Sequence, residues 1–176
     1  MIPALEPLAA RLGQLAAATP AVSRPPVPAA AAPGAEAEAA TVAPVNPIQL
    51  VDHARRGWHL DAAISPRQVV LAAEILSEAG FALDAVTGVD WIAQNEMEVV
   101  YDYFHPAAPL RVAVRARIPR QDPELPTIAT VFPGANWHER ETHDFFGIRF
   151  AGHPNLTPFL LPEDATYHPL RKDFSA

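Results

Sequence analysis

The chain has 176 residues, 49% of them hydrophobic, and a formal net charge of −7 at pH 7. That length suits one domain with a real core, and the acidic balance speaks against a phosphate-seeking, nucleic-acid-binding surface. The absence of cysteine removes disulfides, thiol catalysis and thiolate-held iron–sulfur or zinc sites.

No apolar run approaches the roughly 18–20 residues that span a bilayer, and the N-terminus lacks the basic segment of a secretion signal. A soluble, cytoplasmic protein is therefore expected. Leu5, Leu8, Leu12 and Leu15 recur at three- and four-residue steps, which predicts a short amphipathic helix within 1–18. Two readings of it stand, a frayed tail or a docking helix for a partner's groove. Residues 19–45 are mostly Ala and Pro. Such a segment buries too little apolar surface to offset its ordering entropy, so a disordered linker is expected there.

The α+β core is expected over 46–147. Asn46-Pro47-Ile48-Gln49 offers an N-cap, a proline at the first helical position and a capping-box glutamine, predicting a helix that Gly57 stops. Trp58 to Ala63 reads as a short strand. Ser65-Pro66-Arg67-Gln68 repeats the start signal, and Val69, Ala72, Ala73 and Leu76 form an apolar stripe up to Gly80. Phe81 to Val86, running on towards Trp91, is the least regular of three strand candidates. In the next, Met97, Val99, Tyr101 and Tyr103 alternate with Glu98, Val100, Asp102 and Phe104. In the last, Leu110, Val112, Val114, Ala116 and Ile118 alternate with Arg111, Ala113, Arg115 and Arg117. The connection His105-Pro106-Ala107-Ala108-Pro109 predicts an antiparallel hairpin, with a solvated, salt-bridged arginine face beside Glu98 and Asp102. The fold class is a small, largely antiparallel sheet flanked by helices.

Pro133-Gly134 then breaks the chain, and Asn136 with Glu139 reads as a capping box for a helix from Trp137 to Gly147. His138 and His143 are five residues apart, about 500° around a helix. A zinc hydrolase needs His-Glu-x-x-His with its histidines four apart, so that site is not expected. A general acid/base pair from Glu141 and His143 fails because adjacent turn positions diverge. The alternating charges instead predict a salt-bridge lattice that orders the helix and the loop after it. Beyond Gly147, prolines 154, 158, 162 and 169 exclude a long helix. The tail still carries Ile148, Phe150, Leu156, Phe159, Leu160, Leu161, Leu170 and Phe174. Either it wraps over its own sheet, or residues 148–176 form an extended arm laid across another subunit, set in register by Glu163-Asp164 and Arg171-Lys172-Asp173.

Several of these residues resemble the C chain (30-kilodalton subunit) of NADH:quinone oxidoreductase, respiratory complex I. They are Pro133-Gly134-Ala135-Asn136-Trp137, Glu139-Arg140-Glu141, Asp144, Phe146-Gly147-Ile148, Phe150, Gly152-His153-Pro154, Leu160-Leu161-Pro162-Glu163-Asp164 and His168-Pro169-Leu170-Arg171-Lys172-Asp173-Phe174. The resemblance is strong after Val131 and weak before it. It implies a peripheral-arm subunit with no redox centre, no cofactor ligands and no catalytic residues of its own. The implied partners are the large quinone-site subunit and the subunit holding the terminal iron–sulfur cluster. NADH, FMN, iron–sulfur clusters and quinone would belong to the complex, on the cytoplasmic face of the inner (plasma) membrane. Departures include His143 in place of an aromatic and Thr157-Pro158 in place of an often basic pair. They leave open the equivalent subunit of a membrane-bound hydrogenase or formate hydrogenlyase-type complex. A stand-alone enzyme using His138, Glu141, His143 and Asp144 is the remaining reading.

Overall fold

A computed structural model describes residues 5–17 and 47–175. The expected linker at 19–45, and Asn46, lie outside the described residues.

The alternation over β4 (Glu96–Phe104) and β5 (Arg111–Pro119) builds the centre of a five-stranded sheet, ordered β1-β2-β5-β4-β3. β1 (Ile48–Leu50) pairs antiparallel with β2 (Leu60–Ile64), and β3 (Ala82–Trp91) pairs antiparallel with β4. The hairpin β4–β5 is antiparallel as expected, with Val99 opposite Ala116 and Tyr101 opposite Val114. One pairing is parallel, β2 with β5, so the sheet is mixed. The irregularity expected in β3 is a bulge between Leu83 and Ala85.

One face of this sheet holds Leu60, Ala62, Met97, Val99, Tyr101, Tyr103, Val112, Val114 and Ala116, all essentially out of solvent. A 3₁₀ turn at Pro66–Gln68 leads into α3 (Val69–Glu78), where Ser65 and Gln68 form the expected capping box and the predicted stripe is buried. α1 (Leu5–Ala17) packs beside it on β1 and β2, sinking Leu8 and Leu12 into the same core. Arg11 pairs with Glu78, and Gln68 donates to Leu15 O at 2.6 Å. α1 is therefore seated on its own domain rather than held out for a partner's groove.

Three local expectations are corrected. The helix expected after Asn46 is instead the edge strand β1, joined to a single turn, α2 (His53–Arg56), that Asp52 caps and Gly57 ends. Pairing of Ile48 with Ala62 overrides the local start signal. Secondly, the arginine face is salt-bridged throughout but solvated only at Arg111, which pairs with Asp84. Arg115 reaches Asp61 at 2.9 Å and Glu98 at 3.8 Å, while Arg117 reaches Glu96 at 2.9 Å and Glu98 at 3.4 Å. Trp58 and Trp91 lie against these two guanidinium groups and keep them from water. Asp102, opposite Ala113, lies between Arg111 and Arg115 on this face, as expected.

The third concerns the start of the arm. Ile148 and Phe150 are fully buried, and β7 (Arg149–Ala151) pairs parallel with β6 (Glu124–Pro126). The first residues assigned to the arm, through Ala151, are thus part of the folded core.

Candidate docking site

α4 (Ala135–Phe146) lies over β3. It begins two residues earlier than predicted: Gly134 occupies the N-cap position, with no side-chain capping bond. Asn136 is inside the helix, and Glu139 is consequently free of the capping box. Its Oε1 accepts the Ile128 amide at 2.8 Å and its Oε2 the Thr127 hydroxyl. The contact with β3 is close. A Cβ on Gly88 would stand 2.6 Å from the Phe146 ring, so that strand position must be glycine.

The charges of α4 do order the loop after it, though through bonds to backbone rather than the expected salt-bridge lattice. Asp144 Oδ2 accepts three consecutive amides, from Phe159, Leu160 and Leu161, at 2.8, 2.7 and 3.2 Å. Burial opposes its charge, but these donors outweigh it and hold the carboxyl below the usual range. Arg140 donates to Thr157 O at 3.1 Å and Pro158 O at 3.0 Å. Its guanidinium also lies over the rings of Trp137 and Phe159, which are themselves 5.0 Å apart. Glu141 is half-buried.

The far end of the arm closes over the C-terminus of α4. The last carbonyls of a helix lack intrahelical partners, and here the arm supplies them. His168 Nδ1 donates to Asp144 O at 2.8 Å, the Leu170 amide to Phe145 O at 3.1 Å and Arg171 Nε to Phe146 O at 2.7 Å. His143 bonds Ile148 O at 2.9 Å. Gly147 has φ +72°, and a Cβ there would meet His168 Nε2 at 2.5 Å. Both the left-handed backbone and the imidazole overhead demand glycine. A clamp beyond fixes the last residues: Asp90 accepts two bonds from Arg120 and the Lys172 amide at 2.8 Å, and Arg120 also reaches Asp173. The Arg120 bonds, opposed by burial and helped by Lys172, keep the Asp90 carboxyl low.

These bonds use the backbone and inward polar groups of the arm and leave its apolar side chains outside. Trp137 is 55% exposed, Leu160 52% and Leu170 51%, and Phe159, Tyr167 and Phe174 are nearly as open. Tyr167 and Phe174 stack at 5.7 Å on the surface. Glu163, Asp164, Pro154 and Pro162 are exposed, Leu161 and Pro169 are half-buried, and the His153 side chain is out of solvent. The motif residues are therefore brought together, with Glu139, Arg140, Asp144, His168 and Arg171 bonded inward and Trp137, Leu160, Leu170 and Phe174 left outward. Sequence reasoning missed Asp90, Arg120 and Thr127. Asp90 had a signal: its strand parity matches Val86 and Gly88, so a carboxylate stands on the core face.

Residues 62–176 match the family model of the respiratory-chain NADH dehydrogenase 30 Kd subunit. The chain belongs to this family. The C subunit of the NADH-quinone oxidoreductase of Moorella thermoacetica is 37% identical over 123 residues, covering 68% of this chain and 83% of that protein. The C subunit of the F(420)H(2) dehydrogenase of Methanosarcina mazei is 42% identical over 93 residues, covering 52% of this chain and 59% of that one. Among solved structures, a chain of the membrane-bound sulfane sulfur reductase, an archaeal respiratory membrane complex, superposes with a TM-score of 0.63 at 30% identity. It covers 69% of this chain and 74% of its own. A trypsin-resistant fragment of Nqo5 gives 0.50 at 30% identity, covering 55% and 82%. The fold is thus that of the 30-kilodalton subunits of complex-I-type assemblies. Among the described residues no helix is long and apolar enough to cross a membrane.

Proposed function

We propose that this chain is a peripheral-arm subunit of a proton-translocating NADH:quinone oxidoreductase that braces the quinone-reducing module and carries no redox centre. Its partners are the large quinone-site subunit and the subunit of the terminal iron–sulfur cluster. NADH, FMN, iron–sulfur clusters and quinone are handled by other chains. It sits at the cytoplasmic face of the inner membrane and meets the membrane only through the complex. The observation that carries this reading is the arm, pinned to α4 while Trp137, Phe159, Leu160, Tyr167, Leu170 and Phe174 face outward. Large apolar side chains left exposed on a fixed backbone, here including the ring pairs Trp137–Phe159 and Tyr167–Phe174, mark a protein interface. Covering Leu160 and Leu170, each already half-buried, contributes on the order of 1 kcal/mol apiece.

The test replaces both leucines, Leu160→Ser and Leu170→Ser, because these side chains point away from the bonds that cap α4. Removing everything after Gly152 is a weaker test, since it also strips the helix of its carbonyl partners. The double variant is expected to fold normally by circular dichroism and to be lost from the complex purified from native membranes. Retention at full stoichiometry would contradict the proposal. A second reading is the same role in a related respiratory assembly, such as a membrane-bound hydrogenase or formate-oxidising complex. It draws support from the M. mazei and sulfane sulfur reductase relatives, whose names attach to other redox chemistry.

A further inference from the structure

Glu139 is placed unlike the other acids of α4. Its side chain is wholly out of solvent, and so is that of His153, whose Nε2 lies 3.9 Å from Glu139 Oε2. Four elements converge on this carboxyl. The turn after β6 gives the Thr127 hydroxyl and the Ile128 amide, and Thr127 Oγ1 itself accepts the Ala129 amide at 3.1 Å. The turn after β7 gives His153, which bonds Asn136 O at 3.2 Å through Nε2 and accepts the Asn155 amide at 3.1 Å through Nδ1. β4 brings Tyr101 and Tyr103, both buried, and the Tyr101 hydroxyl has no hydrogen-bond partner among the described residues. α4 itself contributes Arg140 and His143, whose charges act on His153.

The fixed cation of this cluster, Arg140, is bonded to Thr157 O and Pro158 O rather than to Glu139. Burial disfavours the charged form of His153, only partly offset by the Asn136 carbonyl, and Arg140 and His143 push the same way. Burial also drives Glu139 up, to about 7, against the bonds from Thr127 and Ile128, which favour its charge. A bare carboxylate here has two donors, no counter-ion and a phenol on the neighbouring strand with nothing to bond. An unpaired buried charge is relieved by a proton or by water. The two turns that enclose it are the short segments after β6 and β7.

We propose that Glu139 is a buried proton-binding site: one proton, held by the carboxyl, keeps the turns after β6 and β7 latched to α4. When the proton leaves, both turns loosen to hydrate the charge. The direction follows from linkage. The folded state raises the affinity of Glu139 for its proton, so the stability it contributes is complete below the ordinary carboxylate range and is lost as pH rises through about 7.

The experiment is a pH titration of the full-length chain, ¹³C-labelled at glutamate side chains, with amide exchange followed at Ile128, Ala129 and Asn155. The Glu139 carboxyl is expected to titrate near neutrality, and the three amides to shift with the same midpoint. Exchange at Ile128 and Asn155 should accelerate about tenfold beyond the intrinsic pH effect above that midpoint. In Glu139→Gln, which keeps the shape and a neutral head group, the shared transition and the excess exchange should vanish. A Glu139 carboxyl that ionises in the ordinary carboxylate range overturns the proposal. So does a near-neutral titration that leaves Ile128 and Asn155 equally protected on both sides of it. Should the glutamine variant fail to fold, the carboxyl titration and exchange of the unmodified chain decide the question alone.

Discussion

A single oxygen of Asp144 organises the most distinctive turn of the molecule. Three successive amides aim at it, an arrangement that a neutral side chain cannot match because charge-assisted bonds are roughly twice as strong. Asp144→Ala is expected to cost about 1–3 kcal/mol in denaturant unfolding and to raise exchange at the amides of Phe159 to Leu161. Because its folded carboxyl is held low, the contribution is present above the ordinary carboxylate range and is lost as pH falls through the depressed value. The difference between wild type and variant should therefore shrink in acid. A difference constant down to about pH 2 would contradict the role given to this charge. At this scale the sequence was legible in type but not in partner. Glu139, Arg140 and Asp144 stand out as charges crowded onto one short helix. Their partners lie in turns 11 to 18 residues away in sequence, and no periodicity encodes those contacts. The reading of Glu139 as a cap failed because α4 starts at Ala135, two positions before Trp137.

Among elements, the β4–β5 hairpin was the most readable, since a period of two on both strands leaves one register parity that keeps the apolar sets together. What alternation did not convey is how wet the other face is. Glu98 takes Arg115, Arg117 and the Trp91 indole N–H at 3.1 Å, and its side chain is only 4% exposed. A carboxylate so enclosed is destabilising to remove, because its donors stay behind. Glu98→Ala is expected to lower unfolding free energy by about 2 kcal/mol, less than for an isolated buried pair because Asp61 and Glu96 still serve the arginines. A loss below about 0.5 kcal/mol in equilibrium denaturation would mean the ladder behaves as an exposed surface after all. β1 and α2 were not legible for the opposite reason. Elements of three and four residues carry too few positions for a pattern, and pairing with β2 decides them.

At the scale of the whole molecule, two placements depend on long-range packing and were left open by the residues alone. Leu8 and Leu12 show that α1 has an apolar stripe but not what covers it; the groove between α3 and the β1–β2 edge does so. The parallel pairing of β2 with β5 joins segments some fifty residues apart, with Ala62 opposite Val114, and nothing local announces it. The tail is the instructive case. Its prolines and large apolar residues left self-burial and partner-burial both open on composition, and the geometry divides them: Ile148, Phe150 and Leu156 pack on the core, while Phe159, Leu160, Tyr167, Leu170 and Phe174 stay exposed on a backbone bonded inward. The central claim is that a neighbouring polypeptide covers those side chains. Radical or carbene footprinting of Trp137, Phe159, Leu160, Tyr167, Leu170 and Phe174, in the isolated chain and in the native membrane assembly, tests it most directly. These six residues should label readily in the isolated chain and be protected in the assembly, while the exposed Leu50 and Leu71 serve as references on other faces of the fold. Equal labelling of the six in both states, or protection already complete in the isolated chain, would contradict the account.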